Sequence, residues 1–395
     1  MKYVKYLYAS IDNQSRDKRE IEVALDMGWD VVVFTSSYED KENEVLRRCK
    51  VIIHEKEKAY MKIKFALLRK SITACLMFFR CLGVARQRAD VISGHDIKGL
   101  KMAYYARLLS LKSSTKLVYD AHEFELGRLG HRSDAQMNKI RKLEYKLIKK
   151  SSLSIMVNNT IKEATLKEYE LDEDTPVAVI RNIPSKWEVS KEVIAEKRKE
   201  ITNALGVPYD TFIVMYHGGI AYERGIEQMI EVIGKNKNIV GVIMGNGNYV
   251  ELNNKIEKLI NELDLEKRVY RINAVKQTDI WQYAGAVNVG MVIAQPTCTN
   301  HFYMLPNKFF ENIQSQTPLI CSNFPVMSAM LEQYGVGVTV ESSSVDDINE
   351  KIELLRTDKE FYDKLKHNTK LAKEELCWEK EKLILKDAFK KYLQD

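Results

Sequence analysis

The stretch Asn300–Asn323, NHFYMLPNKFFENIQSQTPLICSN, decides how the rest of the chain is read. It opens as a loop over Asn300–Asn307 carrying Pro306, whose ring fixes its own φ and pushes the preceding residue out of helix. Helical spacing follows through Phe309, Phe310, Ile313 and Gln314. Thr317-Pro318 ends it, and Leu319-Ile320-Cys321 reads as a short buried strand. A helix that starts directly after a loop turns free N–H groups and the positive end of its dipole into that loop. That is a seat for an anion, and a phosphate suits it. Glu311 lies one turn inside, where a carboxylate would repel a phosphate and suits a neutral diol such as a ribose. A diphosphate seat and a diol acceptor thus lie side by side in one segment.

Outward from this stretch the chain alternates strand and helix, the pattern of α/β folds with parallel sheets. Strand patterns fall at Tyr3–Ala9, Asp30–Thr35, Val51–Ile53, Asp90–Gly94, Lys116–Tyr119, Ser154–Val157 and Val177–Ile180. A second series runs through Phe212–Tyr216, Val240–Met244, Val269–Ile272, Val287–Val292, Leu319–Cys321 and Val338–Val340. The break Arg181-Asn182-Ile183-Pro184 is the expected junction: residues 1–183 form an amino-terminal domain and 184–377 a carboxyl-terminal one. An amphipathic helix follows over 378–395.

Open α/β sheets bind ligands beyond the carboxyl ends of their strands. In the second domain that row contains His217-Gly218-Gly219-Ile220-Ala221-Tyr222-Glu223-Arg224-Gly225. Gly218 and Gly219 allow close backbone approach, and Arg224 at the helix entrance can fork onto a diphosphate. Taken alone the loop also reads as a plain tight turn. In the first domain the row contains Asn13 and Arg16, then Asp96, then His122-Glu123. His122 reads either as a structural strand-end histidine or as a group facing the reacting sugar. Asp96 and Glu123 could equally cap helices.

The 395 residues suffice for two full cores, and 45% apolar with 29% charged residues is an ordinary soluble composition. The net charge of +6 matters only where it clusters. One such place is Ala59–Arg88, a helical stretch with Lys62, Arg69, Lys70, Arg80 and Arg88 on one side and Leu67, Leu68, Cys75, Phe78, Phe79 and Leu82 on the other. It reads as a core-packing helix with a solvated basic face, or as an attachment to an anionic membrane surface. Six scattered cysteines form neither a disulfide framework nor a zinc site, which implies a reducing compartment. MKYVKYLYASI is a strand with interleaved lysines rather than a signal peptide, and no apolar run is long enough to span a bilayer. A cytoplasmic location follows, peripheral on the inner face of the membrane if the basic helix binds it.

The order and spacing of several short motifs resemble the glycosyltransferases of family 4, the retaining enzymes of the glycosyl transferases group 1. The motifs are Tyr119-Asp120-Ala121-His122-Glu123, Gly218-Gly219 with Arg224-Gly225, Gly245-Asn246-Gly247, Leu305-Pro306-Asn307-Lys308 with Glu311, and Trp378-Glu379. The resemblance covers most of the chain and implies the GT-B architecture, two Rossmann-like domains facing across a cleft. It implies that the carboxyl-terminal domain holds a nucleotide sugar. Arg224 would then bind the diphosphate, Glu311 the ribose hydroxyls, and Leu305, Pro306, Asn307 and Lys308 the phosphates and sugar. His122 would face the sugar from the acceptor domain, with Asn13, Arg16, Asp96 and Glu123 as acceptor-side candidates. Tyr303 stands where many members carry an acid, eight residues before Glu311, and Gly219 where a basic residue is usual. Asp12-Asn13-Gln14-Ser15-Arg16 replaces the amino-terminal Gly-rich loop of some members.

Competing chemistries fit less well. Gly245-Asn246-Gly247 begins a dinucleotide fingerprint that fails at Val250, no Walker loop exists, and His122-Glu123 lacks a second zinc-protease histidine. The basic residues track helices, not aromatic-lined sheet faces, which argues against a nucleic-acid partner. A sugar-nucleotide epimerase, or a non-catalytic glycan-assembly partner with a decayed donor site, remains as an alternative. The expected activity is metal-independent, cofactor-free transfer of a sugar, with retention, from a nucleotide donor (a UDP-sugar favoured). The acceptor is a glycan or lipid-linked glycan of bacterial-type surface polysaccharide synthesis.

Overall fold

The computed structural model describes residues 1–54, 65–128, 130, 132–247 and 249–394, without the side chains of Asn13 and Ala66. The chain divides into two compact units, Met1–Asn182 with the residues from Glu381 onward, and Ile183–Lys380.

The first unit is built on seven strands: β1 (Lys2–Tyr6), β2 (Asp30–Thr35), β3 (Lys50–Ile53), β4 (Val91–His95), β5 (Lys116–Asp120), β6 (Leu153–Met156) and β7 (Val177–Val179). Every pairing is parallel, in the order β3-β2-β1-β4-β5-β6-β7. The order reverses between β1 and β4, and the register sets His95 of β4 opposite Asp120 of β5. Parallel strands covered on both faces are apolar throughout, so Tyr3, Val4, Tyr6, Val91, Ile92, Leu117 and Val118 are all buried. Lys5, one of the interleaved lysines of this strand, is buried with them because β1 lies at the centre of the sheet and has no wet face. The last helix, Trp378–Phe389, brings Phe389 to stack on Trp29 at 5.6 Å between ring centres. Its Lys382 pairs with Glu22 and Asp26, and Glu381 takes the Arg181 guanidinium.

The second unit has six parallel strands: β8 (Phe212–His217), β9 (Ile239–Met244), β10 (Val269–Ile272), β11 (Val289–Val292), β12 (Leu319–Ser322) and β13 (Gly337–Val340). Their order is β10-β9-β8-β11-β12-β13, so the reversal falls between β8 and β11. The helix Asn307–Gln314 lies against this point. A Cβ on Gly290 of β11 would come within 2.1 Å of the Asn312 side chain, so a glycine is needed for the helix to seat.

Several local expectations need correction. The loop expected over Asn300–Asn307 contains a short helix, Thr299–Tyr303, which Pro306 separates from the next one. Helices Pro325–Tyr334 and Lys359–Glu375 were not expected. The basic helix spans Ala66–Ala85, and the part of Ala59–Arg88 with Lys62 lies outside the described residues. Leu67, Leu68, Cys75, Phe78 and Phe79 are exposed on it, which overturns the core-packing reading of that face. Only its last turns bury Cys81, Val84 and Ala85.

Candidate functional site

In the second unit the expected donor residues gather at the β8/β11 reversal. Gly218 N donates to Met244 O at 3.0 Å and Ile220 N to Asn246 O at 3.0 Å, tying the glycine loop to Gly245-Asn246-Gly247. A Cβ on Gly245 would lie 1.9 Å from the Gly218 carbonyl oxygen, so the two loops close only through glycine. Gly219 is exposed, and its carbonyl accepts the Tyr216 hydroxyl at 2.6 Å. Gly225 has φ +73 and its missing Cβ makes room for Ile293. This fixes Arg224 just before the helix Ile226–Lys235, with Nη1 3.8 Å from the Met304 sulfur.

Across the reversal, Leu305 is buried in the core and Pro306 precedes the first turn of Asn307–Gln314. Lys308, on that turn, places its ammonium 3.8 Å from the centre of the Tyr216 ring. The same side chain runs 3.7 Å from where a Cβ on Gly218 would stand. Burial, reinforced by the nearby Arg224 charge, pushes the Lys308 amine down to about 7, with Glu311 pulling the other way. Burial pushes the Tyr216 hydroxyl up to about 12.

Glu311 is 5% exposed, and both of its oxygens are engaged. His217 Nε2 lies 3.0 Å from Oε2, and Gln277 donates to Oε1 at 3.1 Å. The Nδ1 of His217 has no hydrogen-bond partner among the described residues, so the proton belongs on Nε2, facing the carboxylate. His217 and Gln277 were not foreseen. His217 ends a buried strand and Gln277 lies 34 residues from Glu311, so no spacing rule joins them.

The first unit gathers a different set at its own reversal. His122 Nε2 lies 3.0 Å from Asp120, and the His122 and His95 ring centres are 4.0 Å apart. His95 Nδ1 lies 2.9 Å from Asp17. Lys5 reaches Asp17 and Asp120 at 2.9 Å each and also pairs with Glu20. Of the acceptor-side candidates, Arg16 is buried, with Nε on Asp120 at 2.8 Å and Nη1 on the Ile180 carbonyl. Asp96, with φ +54, accepts the His122 backbone N–H at 3.1 Å and pairs with Arg128 at 2.6 Å. Glu123 lies 3.4 Å from the same arginine. Asn13 closes a 3-10 turn after β1, and its side chain lies outside the described residues. Lys5, Asp17, Glu20 and His95 were missed. A lysine between tyrosine and valine residues looks like an alternating strand until the sheet order is known.

Among the described residues, one group brings metal-type donors together: Asp17, His95, Asp120 and His122, with ligand atoms within 4.8 Å of one another. The Lys5 ammonium lies against both of its carboxylates, so the positive charge a cation would bring is already supplied there.

Two Rossmann-like units, each with a parallel sheet and with polar residues gathered at its strand reversal, define the GT-B class of glycosyltransferase. Residues 21–183 match Glycosyltransferase Family 4 and residues 197–372 match Glycosyl transferases group 1. The chain belongs to the family 4 glycosyltransferases. It is 23% identical over 296 residues to an uncharacterized glycosyltransferase, MJ1607, of Methanocaldococcus jannaschii, covering 73% of this chain and 71% of that one. The fold is similar to that of HepE from Anabaena, solved with UDP and glucose (TM-score 0.78, 14% identity, 100% of both chains). It is also similar to sucrose-phosphate synthase from Thermosynechococcus elongatus (TM-score 0.73, 15% identity, 99% and 98% of the two chains). WaaG, a glycosyltransferase involved in lipopolysaccharide biosynthesis, gives a TM-score of 0.63 at 13% identity over 98% of both chains.

The amine of Lys308 should titrate near 7 in the ligand-free protein, followed through its ¹³Cε resonance. In Arg224→Gln the midpoint should move upward, because the opposing positive charge is gone. An unchanged midpoint in that variant would remove Arg224 as a cause.

Proposed function

We propose that the chain transfers a sugar, with retention, from a UDP-sugar to a glycan or lipid-linked acceptor in the making of a bacterial-type surface polysaccharide. The observation that carries the donor half is the placement of Lys308, Arg224 and the start of Asn307–Gln314 beside Glu311. Breaking a sugar–phosphate bond puts negative charge on the leaving diphosphate. Arg224, a helix N-terminus and the Lys308 amine, protonated once a diphosphate lies beside it, stabilise that charge. Electrostatic help of this kind replaces a metal at the leaving group. Glu311, held by His217 and Gln277, is the carboxylate assigned to the ribose diol. The acceptor hydroxyl can pass its proton to the departing phosphate oxygen, so no strong protein base is needed. In the first unit, His122 is the group assigned to the reacting sugar. HepE has been solved with UDP-glucose, which supports UDP as the first nucleotide to try.

An acceptor on a lipid accords with the face of Ala66–Ala85. Phe78 and Phe79 are 50% and 61% exposed on the same helix as Arg69, Lys70 and Arg80. Apolar rings and basic heads suit an anionic bilayer surface. Among the described residues no helix is long and apolar enough to cross a membrane.

Calorimetry against UDP-, GDP- and ADP-glucose tests the donor half. One nucleotide should bind selectively, and Glu311→Ala and Arg224→Ala should each weaken it by roughly tenfold or more, as loss of a charge-assisted contact does. Absence of binding to all three would point to a decayed donor site, and conversion of the sugar without acceptor to an epimerase. Co-sedimentation with vesicles rich in phosphatidylglycerol tests the membrane half. Replacing Arg69, Lys70 and Arg80 with Gln should release the protein, and sedimentation unchanged by the triple variant would end the idea.

A further inference from the structure

Lys5 is fully enclosed in the middle of the first unit, and apolar side chains occupy the positions around it on β1. An ammonium removed from water there costs several kcal/mol unless it is paired and hydrogen-bonded. Its three N–H donors find three carboxylates: Asp17 Oδ1 at 2.9 Å, Asp120 Oδ2 at 2.9 Å, and Glu20 Oε2. Ser93 Oγ stands 3.3 Å away. Glu20 is turned back into the protein by Tyr3 and Ser93, whose hydroxyls donate to its other oxygen. The remaining two carboxylates, both buried, each hold one imidazole, and His122 Nε2 also lies 3.8 Å from Asp17 Oδ2. Asp120 takes His122 Nε2 at 3.0 Å on the same Oδ2 that Lys5 uses, while Arg16 Nε holds Oδ1. Asp17 takes Lys5 on Oδ1 and His95 Nδ1 on Oδ2.

The charges around this hub are Lys5, Arg16, Asp17, Glu20 and Asp120, with Asp96 3.7 Å from His95 Nε2, and His95, His122 and the Tyr3 hydroxyl face them. Burial would raise Asp17 and Asp120. Lys5 on Asp17, and Arg16 with Lys5 on Asp120, instead hold both well below the usual carboxylate range. Burial would lower Lys5, but Asp120, Asp17 and Glu20 hold it well above an ordinary lysine. Burial raises Glu20. An ionised carboxylate can only accept, so the imidazole nitrogen facing it must carry the proton. His122 is therefore fixed as the Nε2–H form, with Nδ1 left as an acceptor. His95 is fixed by Nδ1–H.

We propose that Lys5 is a positioning residue: through Asp120 and Asp17, one buried ammonium sets the tautomer and orientation of both His122 and His95. Its consequence for transfer rests on the assignment of His122 to the reacting sugar, while the arrangement of the imidazoles stands without it. Cationic charge at the hub keeps the two aspartates ionised and aimed, and the aspartates keep the imidazoles from flipping. A metal ion commonly plays this organising part in a cluster of two aspartates and two histidines, and here a side chain does.

The test is long-range ¹H–¹⁵N correlation of the full chain labelled at histidine, with His122 and His95 assigned through His122→Asn and His95→Asn. At pH 8 the parent should show His122 as one neutral tautomer with a pyrrole-type Nε2. A pyrrole-type Nδ1 at His122 in the parent would overturn the proposal outright. In Lys5→Met, His122 should lose that single state, becoming a mixture of tautomers or an imidazolium. A folded Lys5→Met protein with the parent signature would also overturn it. Should that variant fail to fold, Asp120→Asn removes the charge facing His122, and with it the ion pairs of Asp120 with Lys5 and Arg16, but keeps the Asp17–His95 contact. It should scramble His122 while leaving His95 as in the parent, and an unchanged His122 would again refute the proposal. Once a turnover assay exists, Lys5→Met should lower the rate roughly tenfold or more, with UDP affinity within about twofold of the parent. If the imidazoles behave as stated but no nucleotide binds, it is the transferase reading that fails and not the hub.

Discussion

A cation enclosed by protein must meet an anion or give up its proton, and the two units answer that constraint in opposite ways. Lys5 is surrounded by Asp17, Glu20 and Asp120, so it keeps its charge and organises what lies around it. Lys308 meets the Arg224 charge, and the nearest carboxylate, Glu311, already serves His217 and Gln277. Its amine is consequently held near 7. The first arrangement is complete within the protein. The second sets Lys308 and Arg224 beside each other at the start of a helix.

Sheet topology decides where both arrangements occur. In a parallel sheet covered on both faces, polar groups collect at the carboxyl edge, and a reversal of strand order leaves the helices on either side diverging. The β1/β4 reversal brings together residues from the segments after β1, β4 and β5, and the β8/β11 reversal does so for β8, β10 and β11. The glycines at 218, 225, 245 and 290 are what let backbone and helices come this near, since a Cβ would strain the chain at the first three positions and strike Asn312 at the fourth.

Much of this was legible in the residues. Loop, helix and strand around Pro306 and Cys321, the placement of Glu311 and Lys308 on one turn, and Arg224 at a helix entrance all follow from local rules. Alternating βα patterns carried the fold class. What local rules could not supply was partnership over distance. His217 with Glu311, and Lys5 with Asp120, become neighbours only through strand order, which no short window of sequence contains. The short helix Thr299–Tyr303 was hidden by the turn signals around it, and the apolar residues of Ala66–Ala85 read as core or as a membrane face because periodicity cannot say what a stripe meets.

The most direct measurement is a crystal structure of the protein with whichever nucleotide sugar it binds. The diphosphate should lie against Arg224, Lys308 and the first turn of Asn307–Gln314, with the ribose hydroxyls within hydrogen-bond distance of Glu311. A nucleotide seated elsewhere, or one whose ribose makes no contact with Glu311, would contradict the account.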